Sequence, residues 1–251
     1  MSRRVDLNCD LGEGAANDAA VMPLVSSANV ACGFHAGDPA TMRRTVVLAR
    51  DHGVAVGAHP GLADRTGFGR RAIALKPDEA YGLMLYQVGA LAAIARGEGV
   101  ELAHVKAHGA LYNAAARDAE LADALVAALR AFDPNLLLFG QPGTEHERAA
   151  KRGGVRFVAE VFADRAYLGD GRLVPRDVPG AVIDDPQAAA ARVLAIVCDG
   201  GVRALDGSWV ALRADSVCVH GDSPGAVAIA RSVREVLRGA GVTVAPVGLV
   251  A

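Results

Sequence analysis

The chain has 251 residues, of which 52% are hydrophobic, with a mean hydropathy of +0.25 and a formal net charge of -2. That length suits one α/β barrel, and the composition gives a large core with none of the low-hydrophobicity, high-charge signature of disorder. A near-neutral charge without a basic run excludes a protein that tracks a phosphate backbone, and no apolar run reaches the roughly 18 residues of a membrane span.

The opening MSRRVDLNCDLGE carries no apolar secretory core, so a cytoplasmic protein is expected, with neither nucleic acid nor membrane as partner. Short β-branched runs predict strands at 5–9, 28–32, 54–58, 103–107, 135–139, 156–159 and 216–219. Helical patterns alternate with them at 39–51, 77–96, 118–132, 145–152, 186–198 and 224–238. Several are punctuated by proline in the first turn and glycine past the end, as at Pro39 with Gly53 and Pro224 with Gly239. Alternating βα units predict a parallel sheet. No repeat or linker divides the chain, so one domain over 1–251 is expected. Two connections, 60–77 and 162–186, are long enough to serve as binding loops. Cys9, Cys32, Cys198 and Cys218 are far apart in sequence and read as reduced thiols, with Cys9 and Cys32 as packing residues.

Parity locates the polar chemistry. Along the first strand Asp6, Asn8 and Asp10 share one face, and along the fourth His104, Lys106 and His108 do the same. Only three lysines occur, and Lys106 is the one set in an apolar segment. Two strands each turning three polar groups inward are costly to bury and point to a site. Four further segments deliver polar groups at strand carboxyl ends, where barrel enzymes hold their chemistry: His35 with Asp38, His59, Glu160 with Asp164 and Arg165, and His220 with Asp222. Asp6 and His104 stay open between structural pairing and catalysis. His52 suits a helix end and His146 a polar helix; neither is given chemistry. Gly67-Phe68-Gly69-Arg70-Arg71 reads either as an anion clamp or as a solvated loop. Neither G-x-x-x-x-G-K-[ST] nor G-x-G-x-x-G occurs, so no standard nucleotide cradle is present.

The blocks DLNCDLGEG, SSANVACGFHAGD, VGAHPGLADRTGFGR, HVKAHGALYN, EVFADRAY and CVHGD, spread over nearly the whole chain, resemble the LamB/YcsF family. Ala107 departs from that pattern, standing where many relatives have proline. The resemblance implies a seven-stranded distorted (β/α) barrel like the glycoside hydrolase/deacetylase fold. It also implies ATP-dependent opening of 5-oxo-L-proline to L-glutamate together with two partner subunits. On this sequence it places the site at Asp10, Glu13, His35, His59, Lys106, His108, Glu160 and His220. ATP with Mg2+ is then the co-substrate, and no tightly bound organic cofactor is expected.

Within that set Asp10, His59, Lys106 and His108 are the catalytic candidates. Asn8, Glu13, His35, Arg70, Glu160, His220 and Asp222 are the substrate-binding ones. Asp10 or His59 would act as base toward water, with Lys106 and His108 stabilising the developing negative charge. Two alternatives stay open: a metal-dependent amidohydrolase or deacetylase using Asp10, His59 and His108, and a regulatory subunit whose pocket only binds ligand.

Overall fold

Strand and helix alternate along residues 3–222 and 225–248, which a computed structural model of the protein describes. The elements begin with β1 (Arg4–Leu11), α1 (Asp18–Val21), β2 (Ser27–Ala31), α2 (Pro39–Asp51), β3 (Ala55–His59), α3 (Pro77–Gly97) and β4 (His104–Lys106). Next come α4 (Gly109–Ala115), α5 (Ala119–Phe132), β5 (Leu137–Gly140), α6 (Glu145–Gly153), β6 (Phe157–Phe162) and α7 (Pro186–Leu194). The chain finishes with β7 (Gly201–Arg203), β8 (Trp209–Ala211), β9 (Ser216–His220), α8 (Ala226–Gly239) and β10 (Thr243–Val244).

Strands β1 to β6 pair in order and all parallel; β9 follows β6 and pairs back onto β1, closing a seven-stranded barrel. These are the seven strands expected from the sequence, displaced by a few residues at their ends. β10 adds to the start of β1, and β7 with β8 forms a separate antiparallel hairpin. The elements without a sequence signal, α1, α4, β7, β8 and β10, are each seven residues or shorter. Two further differences concern helix ends. The helix expected over 186–198 is α-helical to Leu194, then widens into a π turn at Ala195–Asp199 that Gly200 ends at φ 77. Pro224 lies outside the described residues.

Local chemistry explains where the helices begin. Asp38, Asp118 and Asp185 each accept a hydrogen bond from a first-turn amide, of Thr41, Leu121 and Ala188, and Pro39 and Pro186 supply a preset φ. At α6, Thr144 caps the start and Gly154 takes φ 67 at the end.

The strands then sort their side chains by parity. Leu7, Cys9 and Leu11 of β1, Val105 of β4, and Val217 and Val219 of β9 are fully buried among the apolar faces of the helices. Each such Leu or Val stabilises the fold by about 1.5–3 kcal/mol. The opposite parity fills the lumen with polar groups. At its base the Asp6 carboxylate accepts from the hydroxyls of Ser26 (2.6 Å), Ser27 (2.7 Å) and Ser216, which ties β1 to β2 and β9. Burial raises the Asp6 pKa against those three hydrogen bonds.

One layer up, His104 Nε2 donates to Asn29 Oδ1 at 2.7 Å, and its ring stacks on Phe139 at 4.2 Å. Burial, helped by the charge of Lys106, pushes the His104 pKa down to about 3. Gly57 makes the room: a Cβ there would lie 2.1 Å from the imidazole. Both residues left open by the sequence therefore act here as interior hydrogen-bonding groups.

Asp6→Ala leaves the buried hydroxyls of Ser27 and Ser216 without their acceptor and Ser26 with Leu7 O alone, at a cost on the order of 3 kcal/mol. For a chain of this size that corresponds to a fall in Tm of roughly 6–12 °C in calorimetry; an unchanged Tm would remove Asp6 from the closure of the barrel.

Candidate active site

The carboxyl ends of the barrel strands open into a cavity of about 410 Å³, whose wall includes Asp10, His59, Lys106, His108 and His220. Register brings the first of these together, since Asp10 pairs with Asn29 of β2 and with His220 of β9. Lys106, at the end of β4, reaches across the lumen. Its Nζ lies 2.9 Å from Asp10 Oδ1, 2.8 Å from Glu160 Oε1, 3.0 Å from Cys218 Sγ and 3.3 Å from Asn8 Oδ1. Burial opposes a charge on Lys106, but Asp10, Cys218 and Glu160 outweigh it, and its pKa stands well above the ordinary lysine value. Asp10 also accepts from Asn29 Nδ2 at 2.8 Å. Against the penalty of burial, His59 and Lys106 hold its carboxyl well below the usual range.

Beyond Asp10 lie three histidines around Glu13. Glu13 Oε1 is 3.0 Å from His35 Nε2, 3.2 Å from His108 Nδ1 and 3.7 Å from His59 Nε2. His59 Nε2 is in turn 3.4 Å from Asp10 Oδ2. Two backbone carbonyls fix how these rings are protonated. His59 Nδ1 must donate to Lys106 O at 2.8 Å, and His108 Nε2 must donate to Phe68 O at 2.8 Å. The two remaining nitrogens, His59 Nε2 and His108 Nδ1, face each other at 3.0 Å. Both would be bare in neutral rings, so a positive charge belongs between them, either a proton or a metal cation. Asp10 and Glu13 raise the His59 pKa against desolvation, which suits the proton; burial lowers that of His108.

The same groups have the makings of a cation site, since Glu13, His35, His59 and His108 gather their ligand atoms within 4.8 Å of one another. His35 and His108, however, stack at 3.8 Å with 3° between their planes, so their in-plane lone pairs run parallel instead of converging. The converging donors are Glu13, His59 and His108, with mutual distances of 3.0, 3.2 and 3.7 Å. Tetrahedral zinc with bonds near 2.0–2.1 Å has edges of about 3.3 Å. The gathered set differs from Asp10, His59 and His108 by having Glu13 in place of Asp10, whose Oδ1 is engaged by Lys106 and Asn29 while its Oδ2 stays 3.4 Å from His59 Nε2.

On the far side of the cavity, His220 Nδ1 lies 2.8 Å from Asp164 Oδ1, leaving Nε2 as the basic nitrogen of a His-carboxylate pair. His220 outweighs the effect of burial on Asp164, whose pKa is lowered. Asp222 is bound by Arg70 at 2.6 Å across the rim. Arg71 is not part of a clamp with Arg70, because its guanidinium is engaged by Asp64 and Thr66. His146, in the polar helix α6, is buried, edge-on to Tyr112 at 4.6 Å, and its Nδ1 accepts from the Gln141 amide. Beside Ala107, the end of β4 is held by the His108 amide, which donates to Pro60 O at 2.8 Å. Sequence reasoning assigned no role to Cys218 or to the Asp164 contact, although CVHGD and EVFADRAY contain both residues.

Fold and site together define a seven-stranded deacetylase-type barrel with its polar centre at the carboxyl end. The catalytic domain of a peptidoglycan N-acetylglucosamine deacetylase from Eubacterium rectale shares that fold, at a TM-score of 0.56 and 10% identity, over 99% of this chain and 90% of that one. The chain belongs to the LamB/YcsF family, whose model matches residues 5–251. It is 52% identical to a 5-oxoprolinase subunit of Symbiobacterium thermophilum, over 98% of this chain and 96% of the relative. It is also similar to a crystallised lactam utilization protein from Thermus thermophilus, at 53% identity and a TM-score of 0.91, over 96% of this chain and 99% of that one.

Replacing Lys106 by Met strands the Asp10 and Glu160 carboxylates and costs about 3–5 kcal/mol. Adding Glu160→Gln to Lys106→Met should recover part of the loss in urea unfolding; a double variant no more stable than the single one would show that the pair is not coupled.

Proposed function

We propose that this chain is the lactam-opening subunit of an ATP-dependent cytoplasmic 5-oxoprolinase, acting on 5-oxo-L-proline with two partner subunits. The observation that carries this reading is the convergence of Lys106, Asp10, His59, His108 and His220 on one cavity, in a chain half-identical to proteins named for that activity. Four cysteines without a disulfide suit the cytoplasm, and no helix among the described residues is long and apolar enough to cross a membrane. Because the chain has no standard nucleotide cradle, the partners are assigned the phosphorylation.

A five-membered lactam is a poor electrophile. Transfer of a phosphoryl group from ATP to the amide oxygen releases ADP and makes the ring carbon attackable. Water then bonds to that carbon, the C–N bond breaks, and the product is an acyl phosphate, which a second water converts to glutamate and phosphate. His220, oriented by Asp164, takes the proton of the attacking water in place of Asp10 or His59, which are engaged by Lys106 and Asn29 and by His108. The proton held between His59 and His108 goes to the departing nitrogen, and Lys106 offsets negative charge that develops on the substrate. Asp10 and Glu13 sustain the two cationic groups, and Glu13 is itself fixed by His35.

A second reading is favoured by one observation, the triangle of Glu13, His59 and His108. Those residues would hold a divalent cation, which supplies Lewis-acid polarisation of a carbonyl oxygen.

Glutamate release from 5-oxo-L-proline is expected only when this chain, both partners, ATP and magnesium are combined. His220→Asn should lower kcat by about 10²–10⁴-fold with little change in KM; full turnover by that variant would overturn the role of His220. Elemental analysis separates the two readings: about one divalent cation per chain, lost in His59→Ala, supports the metal, and glutamate formation by a metal-stripped chain supports the proton.

A further inference from the structure

Arg165 sits just after β6 in the cavity wall and is only 6% exposed. Its Nη2 donates to Val174 O at 2.5 Å, while its Nε is buried with no hydrogen-bond partner. No carboxylate forms an ion pair with it among the described residues, and the adjacent Asp164 is turned to His220. The nearby Arg176 makes the position worse, and Asp164 offsets it only in part. Burial first, then the repulsion of Arg176, pulls its pKa down to about 10. A buried guanidinium beside another cation, with a donor left unsatisfied, is a costly arrangement for a protein to keep.

Two more arginines line the same cavity, Arg117 after α4 and Arg176 in the connection that leads to α7. Neither forms an ion pair among the described residues, and both are exposed. The other cations around the site are already matched: Lys106 by Asp10 and Glu160, Arg70 by Asp222, and Arg71 by Asp64. Three guanidiniums with Asp177 as the acid beside them therefore leave the outer part of the cavity positive. In the deep part Asp10, Glu13 and Glu160 already answer Lys106 and the charge shared by His59 and His108, which leaves no surplus cation for a multiply charged anion, so such a group belongs at the mouth. The planar fork of arginine matches phosphoryl oxygens two at a time, and three forks exceed what a single carboxylate can use.

We propose that Arg117, Arg165 and Arg176 form a phosphoryl subsite at the mouth of this cavity, and that the lactam arrives there already phosphorylated on its amide oxygen. The identity of the carrier rests on the ATP-dependent reading above; the anion subsite itself rests on the arginines. The phosphoryl group lies outward, and the ring faces His59, Lys106 and His220.

The test is calorimetric titration of the isolated chain, at fixed ionic strength, with inorganic phosphate, ADP and 5-oxo-L-proline in turn. Saturable one-to-one binding of phosphate is expected, weakened at least tenfold in Arg165→Gln and in Arg176→Ala, and unaltered in Arg43→Gln on α2. Arg176 is exposed, so its variant stays informative even if Arg165→Gln fails to fold. Phosphate that fails to bind, or that binds the two variants as it binds the wild type, overturns the subsite. ADP binding tenfold tighter than phosphate would place the phosphoryl group on a nucleotide, and 5-oxo-L-proline binding as well as phosphate would mark a carboxylate site; either overturns the proposal. Glutamate release by the assembled complex is measured alongside. Undiminished release in both variants overturns the subsite alone, and no release from wild type with phosphate binding intact overturns the functional reading alone.

Discussion

Lys106 carries a full positive charge into the barrel lumen, and the register of three strands exists to meet it. Asp10 from β1 and Glu160 from β6 stand 2.9 and 2.8 Å from its ammonium, which itself extends from β4. A one-residue slip of any of these strands would exchange lumen and helix faces and leave an unmatched charge in the apolar layer. Strand pairing and site electrostatics are thus one constraint. It explains why a lumen that could have been filled with Val and Leu is polar from Asp6 at its base to His59 at its rim.

The charges are arranged in layers of different purpose. At the base, Asp6 meets only hydroxyls; next, His104 and Asn29 share a neutral hydrogen bond; then Lys106 is matched by two acids. Above these, Glu13 and the histidines share one ionisable cluster, and beyond it the arginines go largely unmatched. The outermost layer, where the arginines lack acid partners, is the least internally matched. Chemistry and ligand binding therefore fall where the protein has left its own interactions incomplete.

Much of this order can be read from residue alternation. The parity of Asp6, Asn8 and Asp10 and of His104, Lys106 and His108 identified the lumen face, because side chains on a strand can point only two ways. Strand ends located His59 and His220 by the same logic. Glu13 and His35 follow their strands, in loops where no period applies; the strand end pointed to His35 and the family motifs to Glu13, but nothing fixed the 3.0 Å contact between them. Partner choice was equally illegible for Asp164 and Arg71, since each has several residues of opposite charge within reach of its loop. Short elements such as α4 and the β7–β8 hairpin contain too few residues for a hydrophobic period to declare itself.

The long connection between β3 and α3 reaches the site through one carbonyl. Phe68 holds a left-handed backbone, φ 54, and from there its oxygen accepts from His108 Nε2. Gly69 and Gly109 pack so closely that a Cβ on Gly109 would lie 2.7 Å from Gly69 O, which leaves this turn little freedom to shift. A non-glycine residue in that conformation is strained and persists only where its surroundings over-determine it. The loop therefore acts as an address label for a proton: with Phe68 in place, the hydrogen of His108 is kept on the outer nitrogen and the inner one stays bare. Were the turn to relax, the tautomer would be free to invert, and the charge shared with His59 would lose its seat without any movement of a strand.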